Sequence, residues 1–187
     1  MLGTLVVATA LAGTRSEAVR PAPIAGHAVL EMRVGIDRIE AQHPVICAEA
    51  SPLAFLSVEG CGTGSGFLHH DGAPDMAHFR ARGRIVSVGE GRANVALLGG
   101  LGFAEVQRGA DAVGFKFGEA RAADQLEGAG PEASMGVKGR YWVDPGARTY
   151  ISADFTTGAA VIASAPTVIG HGGPVVPFAA FTVGYGF

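Results

Sequence analysis

The stretch that decides the fold is Pro177-Phe178-Ala179-Ala180-Phe181-Thr182-Val183-Gly184-Tyr185-Gly186-Phe187. Phe181, Val183, Tyr185 and Phe187 fall on every second position, with Thr182, Gly184 and Gly186 between them. A period of two puts one set on each face of a β-strand. The large apolar set calls for apolar surroundings, and the small set for confined ones. A chain end is ordinarily polar and frayed. This ending reads instead as the strand that closes a sheet.

The same alternation recurs upstream. From Ala28 to Ile36, residues Ala28, Leu30, Met32, Val34 and Ile36 make an apolar face, with Glu31, Arg33 and Asp37 opposite. From Ala77 to Val88, Ala77, Phe79, Ala81, Gly83 and Ile85 oppose His78, Arg80, Arg82 and Arg84. From Ala93 to Phe103, Val95, Leu97, Leu101 and Phe103 oppose smaller residues such as Gly100 and Gly102. From Ala133 to Val143, Met135, Val137, Tyr141 and Val143 oppose Ser134, Lys138, Arg140 and Asp144. From Arg148 to Ala163, Ile151, Phe155 and Val161 lie on one side, and Arg148, Tyr150, Ser152 and Asp154 on the other.

Connections alternate between short and long. Gly89-Glu90-Gly91 and Asp144-Pro145-Gly146 read as tight hairpin turns. The stretches around Gln107 to Pro131 and Pro166 to Pro174 read as long loops. A further pair of strands is expected at Val45–Ala50 and Leu53–Glu59, turning at Ser51-Pro52, with Gly62 to Asp75 as a loop. Cys47 and Cys61 lie fourteen positions apart. In an exported chain they can form one disulfide, and in a cytosolic chain they are two thiols. A regular hairpin at Ser51-Pro52 sets Cys47 near Leu56, so that hairpin and a Cys47–Cys61 bond disfavour each other.

Composition limits the classes. The chain has 187 residues, 17% charged and 48% hydrophobic, with 29 glycines. This glycine content suits short strands and tight turns rather than long helices. The net charge of −3 gives no electrostatic footprint for nucleic acid. There is no run of about 18 apolar residues, hence no transmembrane helix, which leaves β-spanning open. The N-terminus carries a short apolar core at Leu5 to Leu11 and a small-residue Ala10-Leu11-Ala12 site, without a basic start. Residues 1–18 are expected to be a signal peptide remnant, 19–26 a linker and 27–187 the β-domain.

The charges decide between membrane barrel and soluble sandwich. Glu31, Arg33, Asp37, Arg80, Arg82, Arg84, Lys138, Arg140 and Asp154 all fall opposite the apolar face. A charge facing mid-bilayer costs about 2–4 kcal/mol, and the interior of a small barrel is filled by side chains. Arginines there would pair with carboxylates and plug the lumen. A soluble barrel binding a small apolar ligand would turn the greasy face inward instead.

The ending Phe181-Thr182-Val183-Gly184-Tyr185-Gly186-Phe187 resembles the C-terminal assembly signal of bacterial outer-membrane β-barrel proteins. With the alternation and turn pattern, the resemblance extends over Ala28 to Phe187, to the superfamily of small eight-stranded barrels. It implies an all-β, antiparallel up-and-down transmembrane β-barrel with eight strands, located in the outer membrane. It implies insertion by the barrel-assembly machinery through Phe181, Val183, Tyr185 and Phe187, with outer-membrane lipid and an unidentified extracellular molecule as further partners. The role it implies is structural or surface-interacting, without a wide pore. The resemblance also brings in lipid-modifying barrel enzymes, which use a histidine and serine with an acid near the membrane surface. No histidine-x-serine pair occurs on a lipid-facing strand, and the chain is read as a non-enzyme. His69, His70 and Asp71, with Asp75 and His78 nearby, offer ligand chemistry, but the spacing matches no metal motif and Gly64 to Pro74 reads as a polar surface loop. Gly62 to Gly66 lacks the lysine and helix of a phosphate loop. No cofactor and no metal are expected.

Overall fold

The computed structural model of the chain describes residues 29–39, 43–64, 68, 72–109, 115–118, 126–143 and 149–187. The expected leader and linker, His69, His70, Asp71, the Asp144-Pro145-Gly146 turn and Arg148 lie outside the described residues. Eight strands follow in order: β1 (Val29–Asp37), β2 (Val45–Leu53), β3 (Leu56–Gly62), β4 (Pro74–Glu90), β5 (Ala93–Arg108), β6 (Glu127–Trp142), β7 (Tyr150–Val161) and β8 (Val175–Gly186). Each pairs antiparallel with its neighbour in sequence, and β8 returns to β1, so the sheet closes on itself. Closure removes every free sheet edge along the paired spans, which an open sheet cannot do. The seam is made by the opening stretch: Tyr185 faces Met32 and Val183 faces Val34. Leu30 and Phe187 exchange backbone hydrogen bonds of 3.0 and 2.9 Å.

The two faces of every strand are inverted relative to a soluble protein. Leu101 is 71% exposed while Lys138 is 1% exposed. Met32 and Val34 on β1, Ile46 on β2, Val58 on β3, Phe79 on β4, Val137 on β6, Phe155 on β7 and Phe181 on β8 all stand on the outside. The alternation fixes this, because neighbouring side chains on a strand must point to opposite faces. A soluble ligand-binding barrel requires the opposite arrangement, so that alternative is overturned.

Both chain ends of the barrel share one rim with the turn at Ala54-Phe55 and the turn at Gly91-Arg92. Gly91 has φ 58°, a left-handed turn conformation that glycine adopts without steric cost. The opposite rim carries the longer connections. One of these contains a single short helix, α1 (Ala165–Val168), begun by Pro166 in its first turn. Ala165 and Val168 are buried in the mouth of the barrel.

Several expectations are corrected. The β2–β3 hairpin does not turn at Ser51-Pro52. Strand β2 runs on through those residues, with a register irregularity between Ala50 and Leu53, and the chain turns at Ala54-Phe55. This brings Cys47 directly opposite Cys61, so the disulfide and the hairpin are compatible. The stretch near Glu90 turns at Gly91-Arg92. Strands β5 and β6 extend further than their alternation signalled, to Arg108 and from Glu127.

Candidate functional site: the filled barrel interior

The interior is built by the inward residues of all eight strands. Arg33 on β1 donates to Glu49 on β2 at 3.0 Å and to Glu59 on β3, and forms ion pairs with Asp154 on β7 at 2.7 Å and with Glu31 at 3.2 Å. Arg82 on β4 reaches the same acids: Glu59 at 2.7 Å, Asp154 at 2.9 Å and Glu49 at 3.4 Å. Its other nitrogen donates to Thr156 at 3.1 Å. Lys138 on β6 closes the set, 2.5 Å from Glu49 and 3.3 Å from Glu31. Glu31 also accepts from Tyr150 at 2.6 Å and Ser152 at 2.8 Å. Arg80 donates to Glu59 at 2.5 Å and lies 3.6 Å from Glu132, which sits 2.6 Å from His78. The arginine row on β4 is tolerated because acids from other strands stand between its members. Like charges a strand-step apart would otherwise repel in a poorly screened space.

Glycines on the inner wall make this possible. A Cβ on Gly184 would strike Arg33, and one on Gly186 would strike the Tyr150 ring. A Cβ on Gly136 would lie 2.7 Å from the Arg82 guanidinium. The small set of the opening stretch therefore leaves room for long side chains from other strands. Around Arg33, Arg80, Asp154 and the cysteines only about 10 Å³ of space remains, enough for one water at most.

Toward the helix-bearing rim the filling changes. Met76, Ala104, Val106, Ala160, Ile162, Val176 and Phe178 form an apolar cluster, sealed by Ala165 and Val168 of α1. Phe178 marks the border. It lies 4.3 Å from the His78 ring and under the Arg80 guanidinium at 5.6 Å. A cation over an aromatic face is a favourable way to end a charged region.

Of the sequence-derived positions, Glu31, Arg33, Asp37, Arg80, Arg82, Lys138 and Asp154 are buried inside. Asp37 accepts from the Ile39 backbone at 2.7 Å and stands apart from the ion pairs among the described residues. Arg140 is at the rim, 22% exposed and 3.8 Å from both Glu31 and Glu49. Arg84 is a correction, because it is exposed at the turn-end rim rather than buried. It precedes a register shift between Arg84 and Val86, where the strand leaves the closed part of the wall. Phe181, Val183, Tyr185 and Phe187 all face outward, 47–56% exposed. Cys47 and Cys61 are bonded and buried inside. Sequence reading passed over Glu49, Glu59 and Glu132, the acids that hold most of the cations. For Glu49 a signal existed, since Val45, Cys47 and Glu49 alternate with Ile46, Ala48 and Ala50.

No family model and no curated protein matches this chain. It is an eight-stranded up-and-down β-barrel with an outward apolar belt. Among solved structures it is similar to Neisserial surface protein A, with a TM-score of 0.49 and 10% identity over 85% of this chain and 92% of that one. It is also similar to Ail, the attachment invasion locus protein of Yersinia pestis, with a TM-score of 0.40 and 12% identity over 85% and 95%.

Proposed function

We propose that the chain is a bacterial outer-membrane β-barrel with a structural or surface-interacting role and no conducting pore. One observation carries this reading: an apolar belt on all eight strands encloses a lumen filled by ion pairs and an apolar plug. In water, apolar surface on this scale marks a membrane or interaction surface. In a bilayer it replaces hydrocarbon contacts at no cost, and the charges are kept from lipid. Insertion by the barrel-assembly machinery through Phe181, Val183, Tyr185 and Phe187 belongs to the same proposal. So do the outer-membrane lipid around the belt and a partner outside the cell at the loop-bearing rim.

Cell fractionation with gel electrophoresis tests it. The chain should sediment with the outer membrane, require detergent to leave it, and migrate faster unboiled than boiled. Intact cells treated with protease should lose the long connections and keep the turns. A chain that stays in solution without detergent, with the same mobility boiled and unboiled, would sink the proposal.

A further inference from the structure

We propose that the Cys47–Cys61 bond is a register clamp, installed on the β2–β3 hairpin by a thiol–disulfide oxidant before the barrel closes. The inference rests on the membrane-barrel reading above. The two cysteines face each other across β2 and β3 with Cα atoms 4.1 Å apart. They are 2% and 7% exposed, on the inner wall beside Val45. Arg80 lies 4.0 Å from the Cys61 sulfur. Thiol–disulfide exchange requires a thiolate to reach a sulfur of the disulfide it attacks. On the lumen side the space beside this bond is only about 10 Å³, too small for a thiol reagent. The larger space that also borders Cys61 lies on the outer face beside Ile46, Ala48 and Phe79, across the wall from the inward-pointing cysteine side chains. The closed barrel therefore neither makes the bond nor gives it up.

The chemistry must precede closure. One cysteine thiolate attacks a disulfide of the oxidant, which leaves a mixed disulfide and one oxidant thiolate. The second cysteine then attacks the chain-side sulfur and releases the oxidant as a dithiol. Two electrons and two protons pass from the chain to the oxidant, so the chain is a substrate for a periplasmic dithiol oxidase.

What the bond selects follows from parity. A regular hairpin turning at Ser51-Pro52 would set Cys47 opposite Leu56 and Val45 opposite Val58. Facing residues share a side of the sheet, so with Glu49 inside, Val58 would face the lumen and Glu59 the lipid. An odd slip of this kind turns a whole strand over. Glu59 is the acid shared by Arg33, Arg80 and Arg82, so the slipped strand would strip the network. A disulfide can join positions 47 and 61 only where their Cα atoms are close, as they are in the observed register.

The first test uses the natural chain, folded and oxidised in detergent micelles, treated with dithiothreitol and then with a maleimide–polyethylene glycol. No label should enter the folded barrel in the time that labels the boiled chain fully. Equal labelling would overturn the clamp. The second test uses Leu56→Cys with Cys61→Ala, against Cys61→Ala alone. Oxidised before refolding, the double variant should lose the fast-migrating form, and reduction should restore it to the level of the single variant. An oxidised double variant that folds in full yield would also overturn the clamp. A natural chain with no fast-migrating form in either redox state sinks the membrane reading and the clamp with it. A compact natural chain whose cysteines label sinks the clamp alone.

Discussion

The two halves of the barrel interior solve one problem with opposite chemistry. Near the turns, the lumen is filled by Arg33, Arg82 and Lys138 held among Glu31, Glu49, Glu59 and Asp154. Near the loops, it is filled by Met76, Val106, Ile162, Val176 and Phe178 beneath α1. The apolar half needs only matching volume, and cores tolerate swaps that keep volume. The ionic half needs each charge answered, because a buried charge without its partner keeps the desolvation cost and loses the attraction. Errors of similar size should therefore be graded unequally along the barrel axis.

The largest effect is expected from Arg82→Glu. It removes the cation that touches Glu49, Glu59 and Asp154 and adds a carboxylate among them. Losing one partner of a buried pair already costs about 3–5 kcal/mol, and repulsion from the added carboxylate raises that cost. The variant should give no fast-migrating form on an unboiled gel, and unchanged migration would break the comparison. Next comes Phe178→Ala in the apolar half, with an expected loss of about 3–5 kcal/mol. It should still fold, with a lower urea midpoint by tryptophan fluorescence, since a cavity leaves no charge stranded. Outside both halves, Val137→Arg puts a charge on the belt. Its cost should be about 2–4 kcal/mol in lipid vesicles, and much smaller when the same urea titration is run in detergent with short chains. The smallest effect belongs to Arg84→Ala. The side chain is exposed at the rim, so the urea midpoint should correspond to a change within about 0.5 kcal/mol. A larger loss would place Arg84 in the ionic half after all.

Much of this was legible in the sequence, because alternation by two reports which face a residue occupies. It put Lys138 and Asp154 across from Val137 and Phe155, and Phe181, Tyr185 and Phe187 outside. Alternation does not report what lies across the lumen, so Phe178 and Val176 carried no sign that they meet Met76 and Val106. Nor does it survive an irregularity. At Ala50 and Leu53 the pairing shifts, which hid the true turn, the opposition of Cys47 and Cys61, and the inward direction of Glu59. Arg84 failed for a related reason. Its face was read from parity, but burial also depends on how far the wall extends on both sides. Past Gly83, β4 pairs with β5 alone among the strands. Glu132 lies one residue before Ala133, where the alternation of β6 becomes visible in the sequence.

The shift between Arg84 and Val86 has one more consequence. Ile85 is left without a cross-strand mate, yet it points outward like Gly83 before it, and Val86 opposite Leu97 points outward too. Ile85 is thus a spare link, inserted without reversing anything downstream. A chain shortened by that one residue would keep Val86 and Val88 on the outer face, Ser87 and Gly89 on the other, and the hairpin at Gly91. The wall can therefore change length here by a single residue, a freedom denied to the tightly counted strands on the far side of the cylinder.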